Sequence, residues 1–131
     1  MVAMAVMSFT IVVTLGFIFL SRQKAVLSAD RDQLAGALEY TRQQSIAAYR
    51  GYQYGINFDS VTGEYTITPE NTKKSLRKGV RFNSLSANQI TFAKLTGRPD
   101  QPFELTLTSG GFNTTITIDA QGTLSKSPVG R

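Results

Sequence analysis

The sequence predicts an α+β protein: a long N-terminal helix, membrane-spanning in its first half and an amphipathic stem in its second, packed on a small antiparallel β-sheet head. Three observations predict it. Residues 1–20, MVAMAVMSFTIVVTLGFIFL, carry no charged side chain. From Ala25 to Tyr49 there is no proline, and apolar or small residues recur every three or four positions. After Gly51 the apolar period changes to two, the period of a strand with one buried face.

The helix comes first. Twenty residues rising about 1.5 Å each span about 30 Å, the thickness of a bilayer's hydrocarbon core. A cleaved secretory signal would need a basic start, a shorter apolar core and a small-x-small cleavage site. This chain opens on apolar residues, and LSRQKAVLSA offers only a poor site near Ser28. The run is hydrophobic on every side, and the remaining chain is too short to bury it as a core helix. Residues 1–21 therefore read as a transmembrane helix, with Ser21, Arg22, Gln23 and Lys24 marking the exit from hydrocarbon. Residues 22–50 read as its continuation. Leu27, Leu34, Leu38, Thr41, Ser45 and Ala48 line one face, while Asp30, Arg31, Glu39, Arg42 and Gln43 fill the others. Gly36 is the one interruption, and Gly51 is placed to end the helix. The expectation is a single helix of about fifty residues, about 70 Å long.

Residues 51–131 form the head. Tyr52, Tyr54, Ile56 and Phe58 alternate with polar residues or glycine. A turn follows over Asp59–Gly63, and alternation resumes from Glu64 to Thr68, a hairpin pattern. Pro69-Glu70-Asn71 breaks it, and Thr72–Gly79 reads as a polar, basic connection. Further strands are expected at Val80–Asn83, Gln89–Leu95, Phe103–Ser109, Phe112–Asp119 and Thr123–Lys126, with Thr96–Pro102 a loop. The head is thus six or seven short antiparallel strands sharing one apolar face with the stem.

Composition excludes several chemistries. The chain has no Cys, His or Trp, so it forms no disulfide and lacks the usual ligands of zinc, haem and iron–sulfur clusters. The formal charge of +5 is uneven: residues 51–98 hold seven basic side chains against three acidic ones. Five of these, Lys73, Lys74, Arg77, Lys78 and Arg81, form a cluster. It reads either as a solvated loop or as a contact for nucleic-acid phosphates through counterion release. No aromatic residue interleaves it to stack bases; Phe82 and Phe92 fall at inward strand positions. Catalysis finds no support. Asp59, Glu64, Glu70, Asp100, Glu104 and Asp119 are scattered, mostly at turns, where carboxylates cap and solvate. Without His the familiar nucleophile–base arrangement cannot form, which leaves only a Ser–Lys pair formally open, and Gly110-Gly111 is a hairpin turn with no helix behind it. The Asp59–Glu64 turn carries too few oxygen donors for calcium. No cofactor, metal or catalytic residue is expected.

The order of these elements resembles the type IV pilins and pseudopilins, and most closely the H-type minor pseudopilins of type II secretion and related minor pilins. The stem LAGALEYTRQQSIAAYRGYQYGINFD resembles that group's Leu/Ala stripe followed by a strand leading out of the helix. DSVTGEYTI is similar to its first hairpin and FNTTITIDAQGTL to its closing one. The resemblance covers nearly the whole chain and rests on order and spacing, each motif alone being weak. One feature departs from the family: the basic leader ending in Gly, the Phe-rich start and the Glu at the fifth mature position do not precede Met1. MVAMAVMSFTIVV looks like the stretch after that Glu, so the resemblance implies a leader and first mature residues upstream; the alternative is a protein that lacks the processing signal.

The resemblance further implies a lollipop-shaped subunit of a bacterial inner membrane, crossing it once with the head extracytoplasmic. In an assembled filament the head would be periplasmic or at the cell surface. Implied partners are the membrane, other pilin or pseudopilin subunits through the N-terminal helix, and, where a leader exists, a prepilin peptidase with its attendant methylation. Met1, Ala3, Ala5, Ser8, Gly16 and Leu20 mark the membrane helix, its small residues suited to close packing with neighbouring helices. Two alternatives stand beside this reading: a DNA-binding minor pilin for DNA uptake acting through the basic cluster, and a membrane-tethered β domain unrelated to filaments.

Overall fold

A computed structural model of the protein describes residues 2–47 and 51–130, with side chains from Arg22 onward. The described residues form one helix and eight strands: α1 (Val2–Ile46), β1 (Gly55–Asp59), β2 (Glu64–Thr68), β3 (Thr72–Ser75), β4 (Arg81–Leu85), β5 (Gln89–Thr91), β6 (Phe103–Ser109), β7 (Phe112–Ile118) and β8 (Leu124–Lys126). The class is α+β, as expected. Among the residues described with side chains, no helix is long and apolar enough to cross a membrane. The uncharged run and its marked positions Met1, Ala3, Ala5, Ser8, Gly16 and Leu20 lie outside them, as does Ala48 of the stem.

The strands form two antiparallel sheets, where the sequence suggests one. Their orders are β3-β2-β1-β5 and β4-β6-β7-β8. In the first, Ile56 faces Ile67 and Ile90 in register. In the second, Leu105 faces Ile116 and Leu85. Burial alternates along β6 and β7, with Phe103, Leu105, Leu107, Phe112, Ile116 and Ile118 inside. The helix lies against β1 of the first sheet and β6, β7 and β8 of the second. Phe58 joins the two sheets: its ring stacks on Phe103 at 5.3 Å, meets Phe82 edge-on at 5.6 Å and lies 6.4 Å from Tyr65.

Three strands differ from expectation. Thr72–Ser75 is a strand and no mere connection; Thr66 and Lys73 pair across the β2–β3 ladder, and Asn71 takes the left-handed conformation in the turn between them (φ 62°). An edge strand with little buried surface carries no apolar alternation to read, and lysines on it discourage pairing with other chains. Strand β5 ends at Thr91 and does not run to Leu95, because residues 93–98 fold back as a turn, Ala93 N–H donating to Arg98 O at 2.7 Å. That turn caps the helix: Leu95 N–H donates to Ser45 O at 2.9 Å, satisfying one of the carbonyls a helix end leaves free. The described helix runs to Ile46, and residues 48–50 of the expected stem lie outside the described residues. Tyr54 N–H donates to the Ser45 hydroxyl at 3.1 Å, so β1 leaves the same point. Strand β4 is displaced toward Leu85, with a bulge between Phe82 and Ser84.

Candidate functional site

The stem helix organises every candidate surface. Leu27, Leu34, Leu38, Thr41 and Ser45 are all buried, as the spacing predicts. Thr41, apolar-facing, returns its hydroxyl to Ala37 O at 2.7 Å, leaving no donor unpaired. Asp30 overturns an expectation. Assigned by sequence to a polar side, it is 2% exposed. The signal was there: Asp30 stands three residues after Leu27 and four before Leu34, on the buried stripe itself. Its Oδ2 accepts the Arg77 backbone N–H at 2.8 Å, and its Oδ1 lies 3.5 Å from Arg77 Nε. Burial raises its carboxyl above the usual range, against the lowering pull of the Arg77 N–H and guanidinium. Asp30 thereby pins the β3–β4 connection, and with it Lys78, to the helix.

The opposite ridge of the helix, with Asp32, Gln33, Gly36, Tyr40 and Gln43, is exposed. A groove runs along each side of it, each enclosing about 490 Å³. One lies toward the β7–β8 turn, between Glu39 and Arg42 on the helix and Gly122 and Leu124 on the head. The other lies toward β2 and β3, between Gln33 and Tyr40 on the helix and Ile67 and Lys74 on the head. Gly36 forms the lip of both. A Cβ built on Gly36 meets nothing within 4 Å, so nothing in its own fold requires a glycine there.

Polar ties fix the groove walls. Tyr40 donates its hydroxyl to Glu70 Oε1 at 2.6 Å. Arg31 reaches Ser127 O at 2.9 Å and Asp32 at 3.1 Å, and Lys126 meets Asp32 at 3.0 Å. Those two cations hold the Asp32 carboxyl below its ordinary range. Arg42 pairs with Glu39 at 3.1 Å and packs under the β7–β8 turn, where a Cβ on Gly122 would stand 2.9 Å from Arg42 Nε.

The basic cluster is divided. Lys73 pairs with Glu64 at 3.1 Å, and Arg77 with Asp30. Lys74 lines the β2–β3 groove, whereas Lys78 lines a separate hollow beside Arg22 and Gln23. Arg81 opens β4 in the second sheet, opposite Thr108. No ion pair among the described residues involves Lys74, Lys78 or Arg81.

The scattered carboxylates sit where the sequence places them. Asp59 accepts the Val61 and Thr62 N–H groups at 3.0 and 3.3 Å, which lowers its pKa. Asp119 accepts those of Gln121 and Thr123, both at 2.9 Å. Asp100 accepts the N–H of Gln101 at 3.1 Å. Among the described residues no three His, Cys, Asp or Glu side chains gather as a metal site. The described surface presents an exposed helical ridge between two grooves, and a basic hollow at one end of the head. Compared with known proteins, the chain matches no family model, no curated protein and no solved structure.

Proposed function

We propose that the chain is a non-enzymatic structural subunit, a minor pilin or pseudopilin, of a type IV pilus or type II secretion-like filament, and that it assembles through its N-terminal helix. The observation that carries this reading is the two-sided stem: one helix face is sealed against the head while the opposite ridge stays bare. Gly36 on that ridge supports it. An exposed mid-helix glycine costs about 0.5–1 kcal/mol relative to alanine, and the fold recovers none of it through close approach. A neighbouring helix seated on the ridge would use the missing side chain. The sequence upstream offers the same small-residue device at Ala3, Ala5, Ser8 and Gly16, where van der Waals packing replaces lipid contact. In this mechanism the helix anchors the subunit in the inner membrane, then leaves the bilayer to pack among neighbours, and the head decorates the surface.

The DNA-uptake version of this reading rests on Lys74, Lys78 and Arg81, which have no ion-pair partner among the described residues and could meet phosphate. Cysteine cross-linking tests the main reading cleanly, because the natural chain has no Cys. In the source cells, Gln33→Cys on the ridge, combined with cysteines on the stem helices of co-expressed filament subunits, should give covalent products larger than the monomer. Asn113→Cys on the exposed side of β7 should give none. Monomer alone from the ridge variant refutes helix-mediated assembly.

A further inference from the structure

The hollow beside Arg22 faces the end of the head where the helix runs toward its uncharged segment. It encloses about 390 Å³ and is lined by Arg22, Gln23, Val26, Lys78, Gly79 and Ser109. Beside it, Lys24 Nζ stands 5.5 Å from the centre of the buried Phe112 ring. The Gly110-Gly111 turn packs so tightly on Gln23 that a Cβ on Gly110 would come within 2.4 Å of its side chain. The β6–β7 turn and the residue 77–79 turn are thus gathered around the helix at Arg22–Val26. Arg22, Lys24 and Lys78 are exposed, and none of them has an ion-pair partner among the described residues. No carboxylate lines the hollow. Three acidic groups elsewhere are already engaged: Asp30 of the helix with Arg77, Glu64 of β2 with Lys73, and Asp59 of β1 with the N–H groups of its own turn.

We propose that this end of the head is a docking surface for anionic phospholipid headgroups, with Arg22, Lys24 and Lys78 as a collar around the helix. The proposal rests on the membrane reading above. Arg22 and Lys24 follow Leu20 by two and four residues, about 3–6 Å along the axis. A bilayer's headgroup layer is about 5–7 Å deep on each side, so the collar falls within it. At that depth the cations are also within a Debye length of anionic lipid, where screening leaves the attraction largely intact. The hollow matches a lipid headgroup in chemistry: cations at its rim for a phosphate, the Ser109 side chain for a glycerol hydroxyl, and Val26 as an apolar wall. Lys78 separates this from ordinary juxtamembrane charge, since it arrives from the β3–β4 connection and only the fold brings it there. The collar would seat the head on the membrane and hold the subunit there until assembly withdraws it.

The test uses the full chain in neutral detergent, titrated with phosphatidylglycerol, phosphatidylcholine or inorganic phosphate and read by native mass spectrometry. A parallel sample is reconstituted into nanodiscs of phosphatidylcholine with and without phosphatidylglycerol. Phosphatidylglycerol should bind in preference to both other probes. Arg22→Gln, Lys24→Gln and Lys78→Gln should each reduce that preference about fivefold, the effect of one basic side chain at an anionic surface. Lys74→Gln, an equal loss of charge away from the collar, should leave it unchanged. Equal binding of the two lipids, phosphate competing as well as phosphatidylglycerol, or a Lys78→Gln variant with unaltered preference would each overturn the proposal. Insertion into both nanodiscs without lipid preference removes the collar alone. Failure to insert into either removes the membrane reading and the collar with it.

Discussion

Replacing Asp30 separates what its carboxylate contributes as a hydrogen-bond acceptor from what it contributes as a charge. Asp30→Ala removes the acceptor for the Arg77 N–H, now 2.8 Å from Oδ2, and leaves that half-buried donor without a partner. The cost of such an orphan is about 1–3 kcal/mol, and partial water access places it toward the lower half. Asp30→Asn keeps an oxygen at the same place and removes the charge. It gives up an ion pair whose arginine side chain is 57% exposed, a contact worth about 0–1 kcal/mol, and it relieves the desolvation of a buried carboxylate. Asp30→Asn should therefore lie within about 1 kcal/mol of the natural chain and Asp30→Ala about 1–2 kcal/mol below it. The acid dependence gives a second reading. Because burial raises the native carboxyl's pKa, the folded state holds its proton more tightly than the unfolded chain. The charged form's penalty is present above the folded pKa and is relieved as pH falls toward the unfolded value of 3.8. Compared with Asp30→Asn, the natural chain should gain stability on acidification. Urea unfolding of the full chain in neutral micelles, followed by tyrosine near-ultraviolet dichroism from about pH 7 down to about pH 3.8, measures both effects. Two results would refute the reasoning: Asp30→Asn as damaging as Asp30→Ala, or a difference between the natural chain and Asp30→Asn that does not change with pH.

Tyr65, 2% exposed and pushed up to about 12 by burial and by the nearby Asp30 charge, sets an alkaline limit. The unfolded tyrosine ionises near 10, so stability should fall as pH rises from there toward the folded value, by up to about 3 kcal/mol; alkaline unfolding of Tyr65→Phe should lack this component. Phe58→Ala should cost about 3–5 kcal/mol and uncouple the two sheets, visible as separated unfolding transitions by hydrogen exchange in β2 and β6. Gly36→Ala should raise thermal stability by about 0.5–1 kcal/mol while lowering the cross-linking yield of the Gln33→Cys ridge; unaltered yield would count against close packing there. Gly122→Ala, at φ 90° and with its Cβ 2.8 Å from Gly97 O, should cost about 1–3 kcal/mol by urea unfolding and displace Arg42 from beneath the turn.

How far the sequence could be read depended on how each element earns its place. Strands β2 and β6 were legible to the residue because each buries one face and so alternates. The five described stem positions were legible because a helix lying on a head must repeat its apolar side every three or four residues. Strand β3 was not, since an edge strand with little buried face leaves no period. Asp30 sat in plain register with Leu27 and Leu34 but was assigned by its chemistry, when its position was the stronger signal. Gly36 read as an interruption until the open space around it gave it meaning.

By itself, then, the sequence determined the long uncharged start, the amphipathic stem and the alternating strands, because local periodicity follows from which face of each element is dry. Only the tertiary structure decided that the strands divide into two sheets joined at Phe58, that the turn at Leu95 caps the stem, and that the basic cluster is split. It alone brought Lys78 beside Arg22 and Lys24. Pairings between distant segments depend on the geometry of the folded chain, and no local pattern encodes which cations meet a carboxylate and which are left to meet something else.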